Sequence, residues 1–441
     1  MGVIVAKFGG SSVADAIQIN KTKDIIFKNP DRRYIVVSAP GKRFDADNKV
    51  TDLLYLLKSH IDHNAPWEQV FQVIKDRYIS MERELHINAG IEEDLEIISQ
   101  EMKPGLSADY IASRGEYLSA KVMAKYIGYD FVDTIGLIKF AEKGKFLREE
   151  TNEALKEELE KHERAVIPGF YGSLPDGRVK NFSRGGSDIT GALVARATSA
   201  DVYENWTDVS GFLMADPRIV KNAKAIKTIS YLELRELAYM GASVLHENAI
   251  YPVRVAGIPI NIRNTNNPED EGSFIVSEPD GRENDIITGI AGSKDFTVIA
   301  IYKNMMSAEV GFIKKVLSIL EEYNVSIEHI PSGIDTVSLV IASEGLEGKL
   351  DDILEDIERK ANADSVEVFE DMALIATVGS QMASRKGVAA KLFTALADAD
   401  INLRMIDQGS SEMNIIIGVE NKDFKPAIKA IYEAFVGTEE E

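Results

Sequence analysis

The chain has 441 residues, room for two or three domains, and a formal net charge of −21. That charge disfavours nucleic acid or an anionic membrane as partner, and the absence of cysteine excludes disulfides, thiolate metal sites and cysteine nucleophiles. The N-terminus carries no basic-then-apolar leader and no apolar run is long enough to span a bilayer, so a cytoplasmic protein is expected.

Up to about Asn267, short β-rich runs alternate with helix-length segments. VIVA (3–6), YIVVS (34–38), RAVIP (164–168), ADVYENW (200–206) and IPINIRN (258–264) read as strands, with helices over 68–86, 109–127, 150–161 and 230–240. Several strands are apolar throughout, as when both faces of a parallel sheet are covered by helices. This predicts an α/β domain. LPDGRV (174–179) reads as a hairpin turn, and NTNNPEDEG (264–272) as a linker. The six histidines are scattered; His60 and His63 read as a solvated helix end, and no metal site is expected.

The C-terminal part repeats. GFIKKVLSILEEYNVSIEHIPSG (311–333) and GVAAKLFTALADADINLRMIDQG (387–409) align at an offset of 76 residues, and VSLVIA and MNIIIGV follow them. A constant offset argues for duplication of one supersecondary unit. Each copy reads β-α-β-β-α, a ferredoxin-like α+β pattern, with a last strand clear only in the first, SVEVF (365–369). The expected bounds are 1–267 for the α/β domain, 268–295 for a linker and start of the regulatory region, 296–370 for the first copy and 371–441 for the second.

Ligands of parallel α/β sheets sit outside the carboxyl ends of the strands. There the chain places Lys7-Phe8-Gly9-Gly10-Ser11-Ser12, Ala39-Pro40-Gly41-Lys42-Arg43, Ser183-Arg184-Gly185-Gly186-Ser187-Asp188 and Thr207-Asp208-Val209-Ser210-Gly211. Glycines let backbone N–H groups approach an anion, and a following helix N-terminus adds a positive dipole. One Gly-Gly after a strand is ordinarily a turn, and several on one edge point to a phosphate site. The pattern is neither a Walker loop nor a dinucleotide fingerprint, because the lysine precedes the glycines. Lys7 is the natural cation for phosphates, and Asp188 either caps a helix or orients Lys7 or Mg²⁺.

KFGGSSV, SRGE (113–116), SRGGSD (183–188), WTDV…ADPR (206–218), VLH (244–246) and QGSSEMNI (408–415) resemble the motifs of aspartate kinases, in that family's order and over almost the whole chain. The family belongs to the amino-acid-kinase superfamily. The resemblance implies a three-layer αβα (carbamate-kinase-like) catalytic domain followed by two ferredoxin-like ACT modules. It implies ATP-dependent phosphorylation of the β-carboxylate of L-aspartate, with Mg²⁺ held mainly by the phosphates. A carboxylate is already ionised at neutral pH and needs no general base, which fits loops without histidine. Catalysis is then positioning and charge neutralisation.

By resemblance Lys7, Arg184 and Asp188 are catalytic. Lys7, Phe8, Gly9, Gly10, Ser11, Ser12, Thr207, Asp208, Leu213, Arg218, Ser243 and Val244 fall at ATP-binding positions. Ser38, Thr51, Glu116, Phe170, Arg184, Gly185, Gly186 and Ser187 surround the aspartate, Arg184 suiting a carboxylate and Glu116 the ammonium. Without the motifs, Glu116 would read as a surface charge, Arg184 as a turn salt bridge and ADPR as a proline turn. Ser11 stands where the family has Thr, Leu213 where a tyrosine is common near the adenine, and Ser243 where a lysine is common. The loop GKRFDADNKV (41–50) is longer than in some relatives and is expected to be mobile.

Paired ACT modules bind amino acids at their interface. Resemblance places effector contacts at Met306, Gly311, Phe312, Ile313, Glu328, Ser332, Asp335 and Ser338. Glu328 and Asp335 suit a lysine ammonium, so lysine, alone or with threonine, is the expected inhibitor; without the family they read as solvated loop charges. Gln408, Ser410, Ser411 and Asn414 of the second copy are expected to serve a dimer contact, and a homodimer or dimer of dimers through the ACT modules is expected. No fused homoserine dehydrogenase is expected after residue 441. The alternatives are another kinase of the same fold, acting on glutamate, acetylglutamate or a nucleotide, and a non-catalytic amino-acid sensor.

Overall fold

The computed structural model describes residues 2–183, 185–241, 247–279, 281 and 285–437, with the backbone alone for 247–249. The chain runs β1 (Ile4–Phe8), α1 (Ala16–Lys28), β2 (Arg32–Val37), α2 (Val50–Asp62), α3 (Glu68–Leu85), α4 (Ile91–Glu101), α5 (Ala108–Ile127), β3 (Asp130–Phe131), α6 (Arg148–Leu159) and β4 (Ala165–Pro168). It continues through the hairpin β5 (Tyr171–Ser173) and β6 (Val179–Asn181), α7 (Gly186–Ala197) and β7 (Val202–Thr207). The short strands β8 (Phe212–Leu213), β9 (Ala225–Ile226) and β10 (Thr228–Ser230) lead to α8 (Tyr231–Tyr239), α9 (Glu247–Ala256), β11 (Ile260–Asn264) and β12 (Ser273–Val276). Contacts divide the chain into two units: 1–212 with 225–231 and 244–280, and 213–224 with 232–243 and 281–441.

The first unit is built on an eight-stranded sheet ordered β10-β12-β11-β7-β1-β2-β4-β3. The central strands are parallel, as their apolar runs predict. Helices α1–α5 pack on one face, closing a core around Ala6, Phe8, Ile35, Val37, Val166 and Trp206. Helices α6, α7 and α9 form the other layer, α7 lying on β1, β2 and β7. The expected αβα sandwich is present. The predicted turn at 174–179 closes β5 on β6, with Gly177 at φ 86°. The segment expected to be a linker is instead a hairpin turn: β12 folds back antiparallel on β11, pairing Ile260 with Ile275. The sheet therefore extends past Asn267 (its polar turn residues mark a tight reversal, not a domain boundary).

The second unit contains one five-stranded sheet ordered β14-β13-β15-β17-β16. Its elements are β13 (Gly289–Tyr302), α10 (Phe312–Glu322), β14 (Thr336–Ala342), α11 (Leu350–Lys360), β15 (Ser365–Val378), α12 (Val388–Asp398), β16 (Met405–Asp407), β17 (Asn414–Glu420) and α13 (Phe424–Val436). The repeat is visible in the backbone. Gly311 and Gly387, both at φ 86°, precede α10 and α12. Asp295 and Asp371 both take positive φ at the bulges that break β13 and β15.

The register explains the weak last strand of the second copy. Residues 296–302 of β13 pair with β14 and with 365–369, completing the first copy. Residues 289–293 pair with 374–378, beside β17, and supply the second copy's fourth strand from ahead of the first. Residues 289–293, within the stretch expected to be linker and start of the regulatory region, thus belong to the second copy's sheet. α8 is fastened to this unit by one polar stripe: Glu233 accepts from Thr288 Oγ1 (2.5 Å) and Ser380 N (2.9 Å), Glu236 from Asn414 Nδ2 (2.6 Å), and Glu328 from Tyr239 Oη.

Candidate active site

Strand β1 delivers Lys7 at 7% exposure, its Nζ 2.6 Å from Asp188 Oδ1 in the first turn of α7. Asn205 Nδ2 donates to the same oxygen at 3.0 Å. Of the two sequence readings of Asp188, this favours the one in which it orients Lys7. A buried ammonium needs such a partner.

The turn after β1 is shaped by close approach. Gly9 N donates to Trp206 O at 3.0 Å. Gly10 lies back to back with Gly41: Gly41 N donates to Gly10 O at 2.7 Å, and a Cβ on Gly10 would stand 2.8 Å from Ala39 O. Gly10 is thus required by packing against the neighbouring loop, whereas a Cβ on Gly9 would meet nothing nearer than 3.5 Å. Phe8 is fully buried and stacked on Trp206, so its side chain is core rather than ligand contact. Ser12 is also turned inward, sharing a 2.7 Å hydrogen bond with Thr265 Oγ1. Asp15 caps α1, accepting from Gln18 N at 2.9 Å. Ser11 remains exposed and lines a crevice with Lys42, Arg43, Thr207, Thr265 and Asn266. Thr207 donates to the exposed Asp208.

Glu116 on α5 is 5% exposed, and its Oε2 has no hydrogen-bond partner. Burial pushes its carboxyl up to about 8, against backbone N–H groups of Ala39 and Glu116 and the charges of Arg114 and Lys7, which lower it. The helix approaches the loop after β2 so closely that a Cβ on Gly115 would stand 2.7 Å from Ala39 Cβ. An orphaned buried carboxylate is the complement of an ammonium group.

Around Glu116 the sequence placed Ser38, whose N–H donates to Phe8 O at 3.2 Å, and the half-buried Thr51 in the first turn of α2. Phe170 takes φ 80°, an uncommon conformation for a bulky residue, held by Thr190 Oγ1 on its N–H. Gly186 and Gly169 permit this crossing: a Cβ on Gly186 would meet the Phe170 ring at 2.6 Å, and one on Gly169 the Ser187 side chain at 2.6 Å. Gly185, at φ 59°, and the buried Ser187 open α7. Arg184, Ser243 and Val244 lie outside the described residues.

Leu213 (39% exposed) and Arg218, paired with Asp216 at 2.6 Å, belong to the second unit. There, Tyr432 on α13 accepts from Lys224 N at 2.8 Å. Of the effector positions, Met306 and Phe312 are buried in the first copy's core. Gly311, Ile313, Ser332 and Asp335 are exposed, and Ser338 is half-buried. Ser307 N donates to Ile334 O and Lys303 N to Asp335 O, bringing the 306–313 turn beside the 332–336 hairpin. Arg77, Asp47 and Asn205 escaped sequence reasoning. Each acts through a long-range contact, and only the polarity of Arg77 in an apolar helix face offered a signal.

Among the described residues no group of three or more His, Asp or Glu side chains could hold a metal ion, and no helix is long and apolar enough to cross a membrane. Residues 2–264 match the amino acid kinase family, and 375–435 match an ACT domain. Aspartokinase 3 of Bacillus subtilis is 36% identical over 446 residues, covering 98% of both chains. The crystal structure of Clostridium acetobutylicum aspartate kinase is 53% identical with a TM-score of 0.93, covering 99% of this chain and 100% of that one. Escherichia coli aspartokinase III in complex with aspartate and ADP is 26% identical, with a TM-score of 0.73, covering 98% of this chain and 100% of that one. The same enzyme in complex with lysine and aspartate gives 26% and 0.77, covering 98% and 99%.

Proposed function

The chain belongs to the aspartokinases of the amino acid kinase family, and from that premise we propose how its residues divide the work. It transfers the γ-phosphoryl group of ATP to the β-carboxylate of L-aspartate, giving 4-phospho-L-aspartate and ADP, the first step toward lysine, threonine and methionine. An oxygen of the ionised carboxylate attacks phosphorus, the bond to the β,γ-bridging oxygen breaks, and no proton moves. The protein's task is therefore to hold two anions together and offset the charge that develops.

Lys7, oriented by Asp188, neutralises the transferring phosphoryl group, with the backbone N–H of Gly10 beside it, that of Gly9 being taken by Trp206 O. Glu116 receives the substrate ammonium, and Arg184, through its planar fork, a carboxylate. Ser38, Thr51, Phe170 and Ser187 complete the amino-acid pocket. The observation that carries this reading is the pairing of a buried Lys7–Asp188 contact with a buried, unpartnered Glu116 oxygen in one unit. Mg²⁺ would arrive with the nucleotide, held mainly by its phosphates, while Asp188 is engaged with Lys7.

The amino-acid effector is lysine, bound by the first copy. In support, the E. coli relative was crystallised with lysine. At the 76-residue offset Glu328 is replaced by Arg404, so only the first copy offers an ammonium partner there. We further assign a homodimer or dimer of dimers formed through the ACT modules, and a cytoplasmic location.

The test is ADP release with aspartate, glutamate and acetylglutamate as acceptors, with and without lysine. Turnover with aspartate alone, suppressed by lysine, is expected. Turnover with another acceptor in preference to aspartate would sink the assignment.

A further inference from the structure

The loop between β2 and α2, expected to be mobile, is internally tied. Arg77, on α3, is 5% exposed. Its Nη1 donates to Asn48 O at 2.9 Å, and its Nη2 to Ala14 O at 3.1 Å and to Gly41 O. Nη1 also lies 3.2 Å from Asp47 Oδ2. The same carboxylate takes the Arg43 backbone N–H at 3.0 Å and its guanidinium at 2.8 and 3.0 Å. One buried guanidinium thus joins both ends of the loop to Ala14, where the turn that begins at Gly10 ends. Gly41 itself is bonded to Gly10, with no room for a Cβ on either.

Burying a guanidinium costs several kcal/mol unless its donors are satisfied, a heavy device for a loop whose residues 42–46 are exposed. Its effect is to set Lys42 on the crevice lined by Ser11 and Thr207. Arg43 is neutralised there by Asp47. Lys42 is not: its ammonium donates only to Asp45 O, at 3.1 Å, and has no carboxylate partner among the described residues.

We propose that loop 41–48 is a second, pre-ordered wall of the nucleotide-phosphate site, in which Lys42 contributes a cation in addition to Lys7 and Arg77 is the positioning residue that holds it there. This rests on reading the Gly9–Ser12 turn as the phosphate grip.

The test uses the full chain and its variants Lys42→Gln, Lys42→Arg, Arg77→Met and the double Lys42→Gln/Arg77→Met. ADP affinity is measured by calorimetry, and KM for ATP and for aspartate by initial rates. Lys42→Gln weakens ADP and raises KM for ATP about tenfold, the scale of one charge-assisted hydrogen bond, with KM for aspartate unchanged. Lys42→Arg restores most of the affinity. Arg77→Met reproduces the loss, and the double variant is no worse than the poorer single one, because both remove the same contact. Should Arg77→Met fail to fold, Lys42→Gln and Lys42→Arg carry the test by themselves. Wild-type ADP affinity in Lys42→Gln, a multiplicative double variant, or an equal rise in KM for aspartate overturns the proposal. In each of those cases the wild-type chain still turns over aspartate; failure of the kinase reading itself is absence of that turnover.

Discussion

Replacing Glu116 with glutamine should make the protein more stable and a poorer enzyme, with a pH dependence that identifies the cause. Unfolded, the carboxyl has its ordinary value of 4.5; folded, burial raises it to about 8. The folded state therefore binds this proton more tightly. Stability contributed by the protonated form is complete below the unfolded value and is lost as pH rises through the folded one. At about 1.4 kcal/mol per tenfold change in proton affinity, the ionised carboxylate costs the fold at most about 5 kcal/mol above pH 8. Relaxation and water entry reduce that to about 2–3 kcal/mol. Glutamine is neutral at every pH. The variant's melting temperature should exceed the wild type's by about 5–10 °C at pH 8.5, and the gap should close toward pH 5. Its KM for aspartate should rise about 10–100-fold, the loss of a charged hydrogen bond to the ammonium. Aspartate binding to the wild type near pH 7 should release a proton, read by calorimetry in buffers of differing ionisation enthalpy. A melting difference that does not change between pH 5 and 8.5 would refute the reasoning, because packing alone has no such slope.

Lys7→Ala should lower turnover about 10²–10³-fold, as for removal of one preorganised electrostatic partner, with far-UV dichroism unchanged; near-normal rates would exclude Lys7 from phosphoryl transfer. Gly10→Ala should cost about 1–3 kcal/mol in urea unfolding, since backbone must move to admit its Cβ, while Gly9→Ala should be nearly neutral; the reverse order would show that packing against Gly41 is not what constrains the turn. Tyr239→Phe frees Glu328 from its hydroxyl, so half-inhibition by lysine should shift about threefold to lower concentration, consistent with one exposed hydrogen bond; no shift, or weaker inhibition, would separate Glu328 from the effector.

The strands of the catalytic sheet and the motif residues at their ends were legible because apolar runs and strand-end glycines are local signals. Glu116 and Lys7 could be named from motifs, but their burial and the unpartnered Oε2 could not, since these depend on how closely α5 approaches the loop after β2. The second copy's weak last strand was visible as a gap in the repeat. Its donor, 289–293, was not, because strand pairing across the first copy leaves no trace in local composition. The hydrogen bond of Ser12 to Thr265, just beyond β11, left no trace in the sequence because the two residues are 253 positions apart. Arg77 interrupts the apolar face of its helix, but nothing nearby in sequence says that it reaches Gly41, Asn48 and Ala14.

The strand that reaches forward across a whole repeat also sets rules for how this chain is made and altered. As the polypeptide emerges from a ribosome, residues 289–293 must wait as an unpaired edge until Leu374 and its neighbours have been synthesised. The first copy can close its own three strands in the interval; the second cannot close without a segment made before either. A cut between 370 and 371 therefore does not yield two intact halves. Removal of the second copy would leave 289–293 with nothing to pair, a ready template for aggregation. The two copies can be inherited, exchanged or engineered only together, from Gly289 onward.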